Sequence, residues 1–279
     1  MKQSIIFVCT LCSLWLICLS GCQTVDDPYY TIDPQPLDTL SAESFKKVLL
    51  EDYTGILCVN CPEAAKLAEE IAASSRHRVI VMAVHAGYYA IPGKPPYTLD
   101  LRCPEGETYL KDFNINSNPA GVINRMQKSA GMFKYSTSEW AETVKSELQQ
   151  SLTFQLKAEA ALTDDETAIN ATVFYTATTA ATTDYNLIVF LVEDGIIGAQ
   201  DGQSNPEYVF HNVLRETLHD DPYGMPIKPV AGVLDSVTFE NYKIKSIDKK
   251  AENSTYKLIV AITQRESRYI EQVEEIGLK

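Results

Sequence analysis

Two cysteines three positions apart, in Cys58-Val59-Asn60-Cys61, are the residues of this 279-residue chain best equipped for chemistry. A C-x-x-C pair makes and breaks a disulfide by thiolate attack, and its surroundings decide how readily that happens. Upstream, Val48 to Tyr53 is a short apolar run closed by Thr54-Gly55, the pattern of a buried strand. Downstream, Pro62 suits a first helical turn, and Ala64, Leu67, Ala68 and Ile71 recur at helical spacing through Arg76. The dithiol therefore falls between a strand and a helix N-terminus, where free N–H groups and the helix dipole stabilise a thiolate. That setting predicts an exposed nucleophile at Cys58 and a resolving thiol at Cys61. The same pair also serves as a permanent structural bridge, as secreted domains commonly use. With His85, at the end of the next apolar run, two thiolates and one imidazole form a donor set suited to a soft metal such as Cu(I). A hydrogen-bonded His85 is the plainer reading, and no metal or cofactor is assigned.

A different cysteine chemistry is written at the N-terminus. Lys2 precedes an apolar run from Ile5 to Leu19, too short to span a bilayer and followed by Leu19-Ser20-Gly21-Cys22. This predicts a lipoprotein signal peptide over 1–21 and a lipid on Cys22, making the membrane a partner through the anchor. Residues 22–43, polar and broken by Asp27-Pro28, Asp33-Pro34 and Pro36, read as a tether. Cys9, Cys12 and Cys18 leave with the signal, so Cys58, Cys61 and Cys103 remain as an odd set in an oxidising compartment. Cys103 is thus unpaired, a second partner for Cys58, or paired with another molecule. The net charge of −13 becomes −14 once Lys2 is removed, a surface that repels phosphate backbones and excludes nucleic acid as a partner. No Gly-rich phosphate loop, Ser-His-Asp spacing or metalloprotease helix motif is present.

The elements that position the dithiol follow in order. Val79 to Val84 is a second strand. Residues 86–103 form an insertion carrying Tyr88, Tyr89 and Tyr97, which suits either a peptide- or glycan-contacting lip or a loop packing its own rings. Glu105 to Phe113 is helical, Ala120 to Arg125 and Met132 to Tyr135 are strands joined at Ser129-Ala130-Gly131, and Ser138 caps a helix to Leu152 with Trp140, Val144 and Leu148 on one face. Beyond Leu152 the period changes. Runs at 154–161, 168–176, 187–193, 209–218, 237–244 and 256–264 are alternating or β-branched, the pattern of a β-sandwich, with 209–218 equally readable as a short helix. His211-Asn212 with Arg215 and Glu216 reads as a stabilised corner more than as a second polar site. A boundary near residue 152 divides the chain.

Strand, C-x-x-C, helix, strand, then a proline before a hairpin and a last helix resembles the thioredoxin-like order. The resemblance implies that Pro119, in Asn118-Pro119-Ala120, is a cis-proline beside the dithiol. It also implies that Asp52, six residues before Cys58, is a buried acid serving the resolving cysteine. A surface position for Asp52 stays open, because Glu51 stands beside it. Leu50-Glu51-Asp52-Tyr53-Thr54-Gly55, Cys58 and Cys61-Pro62, Val192-Glu193-Asp194-Gly195 and His211-Asn212-Val213-Leu214-Arg215 are together similar to the Omp28-related outer-membrane lipoproteins of Bacteroidetes, from about Val48 onward. That resemblance implies a thioredoxin-like domain over 44–151, an Ig-like β-sandwich over 152–279, and an outer-membrane, lipid-anchored location. Departures from working thioredoxins are Ile56-Leu57 in place of a tryptophan, no proline between the cysteines, and Asn118 where Thr or Val is usual. The expected biochemistry is thiol–disulfide exchange with envelope proteins, with Cys58, Cys61, Pro119 and Asp52 at the site. The rival is a non-catalytic surface adhesin or assembly lipoprotein stapled by the same disulfide.

Overall fold

Strands buried on both faces form the middle layer of the molecule. The computed structural model describes residues 30–32 and 45–278, so residues 1–21, read above as a signal peptide, and Cys22, read as the lipidated cysteine, lie outside the described residues. The chain runs through β1 (Tyr30–Ile32), β2 (Val48–Thr54), α1 (Cys61–Ser74), β3 (Val79–His85), α2 (Pro104–Asp112), β4 (Ala120–Ile123) and α3 (Thr137–Glu147). It continues through β5 (Phe154–Leu162), β6 (Ala168–Ala177), β7 (Tyr185–Asp194), β8 (Ile196–Gly198), β9 (Tyr208–Phe210) and β10 (Val213–Thr217). The last elements are β11 (Met225–Ile227), β12 (Asp235–Lys243), β13 (Thr255–Gln264) and β14 (Ile270–Gly277).

Among the described residues the main sheet has the order β14-β13-β7-β10-β3-β2-β4, with β11 also paired to β7. A second sheet, β1-β12-β6-β5, packs on part of it. Strands β2 and β3 are parallel, and β4 returns antiparallel to β2, setting Gly121 opposite Asp52 and Ala120 opposite Tyr53. Alternation explains the double burial of β7. Leu187, Val189 and Leu191 face the second sheet, while Ile188, Phe190 and Val192 face α2. On β2 the same alternation sends Val48 and Leu50 to the α1/α3 side, with Trp140 and Val144, and Leu49 and Tyr53 to the α2 side.

The strands before and after residue 152 share this one sheet. The joint is Asn212-Val213 against β3: Asn212 O accepts the Ala83 N–H at 2.9 Å, and Asn212 Nδ2 donates to Val81 O at 3.1 Å. Asn212 has φ +47°, a conformation asparagine tolerates better than most residues, so this part of the His211-Asn212 motif is structural.

Several expectations are corrected. Residues 30–32, read as tether, pair with Val237–Phe239 as an edge strand. The 209–218 run is two strands broken at His211-Asn212, and 132–135 contributes isolated bridges (Ser129–Met132, Gly121–Tyr135) instead of a strand. The cap of α3 is Ser136, whose N–H and hydroxyl both donate to the Glu139 carboxylate at 2.9 and 2.6 Å. Among the described residues no helix is long and apolar enough to cross a membrane.

Candidate thiol–disulfide site

The dithiol is closed. Cys58 and Cys61 are joined as a disulfide in the turn that carries β2 into α1, where Cys58 N–H donates to Gly55 O at 3.0 Å and Cys61 N–H to Cys58 O at 3.1 Å. Pro62 stands in the first turn of α1, as its fixed φ and missing N–H favour. The expectation of an exposed Cys58 is overturned, since it is 4 % exposed and Cys61 1 %.

Two segments outside the strand–turn–helix unit cause this burial. The 86–103 insertion closes one side: Leu57 N–H donates to Tyr89 O at 2.9 Å, and Gly55 lies so close that an added Cβ would stand 2.4 Å from the Tyr89 carbonyl carbon. The β8–β9 loop closes the other. Gln200 Nε2 donates to Gly55 O at 3.2 Å and Cys58 O at 3.1 Å, and Asp201 N–H donates to Ile56 O at 2.9 Å. Residues open to solvent around the bridge include Val59 (58 %) and Asn60, between the two cysteines, and Tyr88 (79 %) and Tyr89 on the insertion. Sequence reasoning missed Gln200, because a glutamine in a loop 142 residues from its acceptor leaves no local signal.

Asp52 lies beneath the bridge, on the α1 side of β2. It lines a cavity of about 70 Å³ together with Cys61, His85 and His211. Its Oδ1 has no hydrogen-bond partner among the described residues, and burial pushes the carboxyl up to about 7. Alternation along β2 puts Asp52 and Glu51 on opposite faces. Glu51 points to the opposite face and pairs with buried Arg125, Nε to Oε1 at 2.7 Å, the guanidinium lying 4.3 Å from the Tyr109 ring centre. The Asn118–Pro119 bond is cis, and Asn118 Nδ2 donates to Thr54 O at 3.0 Å. The β4 register therefore holds Pro119 against the end of β2, where the chain turns into the dithiol.

His85 is buried, and its Nδ1 has no hydrogen-bond partner among the described residues. It is 3 % exposed, its ring edge meets Phe210 at 5.5 Å between centroids, and burial pulls its pKa down to about 3, so the ring is neutral. Among the described residues no group of three or more His, Cys, Asp or Glu side chains is gathered as metal donors. Cys103 is a free, buried thiol whose sulfur accepts the Gly106 N–H at 3.3 Å at the start of α2. Burial pushes it up to about 12, which keeps it protonated and a poor nucleophile.

His211 marks the solvent end of the cavity. Its Nδ1 lies 2.9 Å from Asp194 Oδ1, and the other Asp194 oxygen meets Lys257 Nζ at 3.1 Å. These contacts hold Asp194 well below the usual carboxylate range and raise the histidine.

The family model for outer membrane protein Omp28 matches residues 106–279, which include Pro119 and His211 and begin after the dithiol. No curated protein matches the chain by sequence. Among solved structures, HBP35 of Porphyromonas gingivalis aligns over 85 % of this chain and 77 % of its own, at TM-score 0.64 and 16 % identity. A protein from Agrobacterium tumefaciens aligns over 84 % of this chain and 96 % of its own, at TM-score 0.53 and 12 % identity. A domain of the Omp28 outer membrane lipoprotein of Porphyromonas gingivalis aligns over 47 % of this chain and 91 % of its own, at TM-score 0.32 and 18 % identity. The first two show a shared fold, mixed α/β with sheet predominating.

Proposed function

Because the chain belongs to the Omp28 family of outer membrane proteins, we propose that it is an envelope lipoprotein that exchanges disulfides with other envelope proteins through Cys58 and Cys61. In this reading residues 44–151 act as a thioredoxin-like half, residues 152–279 as an Ig-like half that roofs the dithiol with its β8–β9 loop, and a lipid on Cys22 holds both at the membrane. Cys58 takes the attack, Cys61 leaves, Pro119 orients the incoming chain and Asp52 moves the proton.

The observation that carries the reading is Asp52. A buried carboxyl whose Oδ1 has no hydrogen-bond partner among the described residues is destabilising, and a purely structural bridge gives no reason to keep one beneath it. Exchange gives a reason. When Cys61 leaves as a thiolate it needs a proton, and an acid near neutrality donates and recovers one at working pH. The place of the bridge between a strand end and a helix N-terminus agrees with that chemistry.

The burial of both sulfurs favours a second reading, in which the bridge is a staple and the protein a non-catalytic adhesin or assembly partner. Insulin-disulfide reduction by the full chain, with dithiothreitol as donor, separates the two. Exchange predicts turnover above the dithiothreitol blank that Cys58→Ser abolishes. Equal rates for the blank, the wild type and the variant would favour the staple.

A further inference from the structure

His211 and Asp52 line one cavity but differ in access: Asp52 is 2 % exposed, while the His211 side chain is 51 % exposed. Asp194 holds Nδ1 of the ring and is itself fixed by Lys257 and by the Asn212 N–H at 3.2 Å. An Nδ1–H given to a carboxylate leaves Nε2 as the open proton site. The cavity of about 70 Å³ has room for more than one water at ~15 Å³ each, and its buried polar groups, Asp52 Oδ1 and His85 Nδ1, lack hydrogen-bond partners among the described residues. Of the other titratable groups lining it, His85 stays neutral and Tyr208 is pushed up to about 12, so neither trades protons near neutrality. Glu69 on α1 remains as the competing carrier. The charged groups acting on His211 are Asp194, Lys257 from β13 and Glu69 from α1.

We propose that His211, supplied by the second half of the chain and oriented by Asp194, is the outer proton carrier of the dithiol, relaying protons through the cavity between solvent and Asp52. The inference rests on the exchange reading above. A substrate thiolate attacks Cys58 Sγ, a mixed disulfide forms, the Cys58–Cys61 bond breaks, and its electron pair leaves on Cys61 Sγ. Asp52 protonates that thiolate, and the His211 imidazolium reprotonates Asp52 through cavity water before recovering a proton from solvent. A second thiolate of the same substrate attacks the substrate sulfur of the mixed disulfide and expels Cys58. The substrate dithiol is then oxidised and the protein dithiol reduced, and the reverse reaction carries the protons outward.

The test is the rate at which dithiothreitol reduces the Cys58–Cys61 bond in the folded full chain, followed by maleimide trapping from about pH 5 to 9 and divided by thiolate concentration. His211→Gln is expected to be on the order of tenfold slower at neutral pH, to lose the histidine ionisation from the profile, and to recover when imidazole is added. Asp194→Asn is expected to move that ionisation to lower pH. An unchanged profile in His211→Gln, or loss of the ionisation in Glu69→Gln instead, would overturn the relay and leave the exchange reading standing. A wild-type bridge that dithiothreitol does not reduce in the folded chain would overturn both.

Discussion

Asp52 and Glu51 are neighbours in sequence with opposite electrostatic fates. Asp52 is buried alone and its pKa is raised to about 7, so its contribution to stability is fully present below the unfolded value near 3.8 and is lost as the pH rises through about 7. Asp52→Asn should therefore match the wild type near pH 4 and exceed it by up to ~4 kcal/mol at alkaline pH, measured by urea unfolding at the two pH values. An advantage independent of pH would contradict this. Glu51 is matched by Arg125, with both side chains fully buried. Arg125→Met should cost about 3–5 kcal/mol in the same assay, because it strands the Glu51 charge inside an aromatic shell. His219 titrates the other way from Asp52. Its neutral Nε2 accepts the Val189 N–H at 3.0 Å, and burial lowers it to about 4, so that stability is present above about 6.5 and lost as the pH falls through about 4.

At the scale of elements, two loops decide how far the bridge is exposed. Gly55→Ala would push a Cβ into the Tyr89 backbone, which cannot yield as a side-chain end can. The expected result is a loss of about 1–3 kcal/mol together with faster alkylation of Cys58 after reduction, read by unfolding and by maleimide kinetics. Destabilisation with no change in Cys58 reactivity would show that the insertion does not gate the site. The strand–turn–helix unit was legible in the sequence because its signals are local: an apolar run, a proline after Cys61, and apolar residues at helical spacing. Pro119 was singled out only through the resemblance to the thioredoxin-like order, since a lone proline before a short strand has no local signal of its own. Strand β14 was not legible, since Glu271, Gln272, Glu274 and Glu275 interrupt its apolar residues. Its polar groups are answered by partners far away in sequence, Lys46 Nζ donating to the Ile270 carbonyl at 3.0 Å and Lys47 N–H to Gln272 Oε1 at 2.9 Å. The roof over the dithiol was hidden for the same reason, because Gln200 acts on backbone carbonyls that no residue pattern near it announces.

At the scale of the whole molecule, the change of period near residue 152 correctly marks where helices give way to strands, yet the main sheet continues through it. The apolar cluster on the α2 side takes Leu49 and Tyr53 from β2 together with Phe190, Ile259 and Val273 from later strands. Shared burial of this kind couples the halves, so thermal unfolding followed by near-UV and far-UV dichroism should give one coincident transition. Two separated transitions would mean that the Asn212-Val213 joint does not transmit stability. The joint also brings the β8–β9 loop and His211 to the dithiol, which places part of the site beyond the reach of the first 152 residues. The most direct test of the exchange reading is the reduction potential of the Cys58–Cys61 pair in the folded chain, equilibrated with dithiol and glutathione redox buffers. The account predicts a value above about −270 mV, within the range of working oxidoreductases, whereas a value below about −300 mV would mark a structural bridge and contradict it.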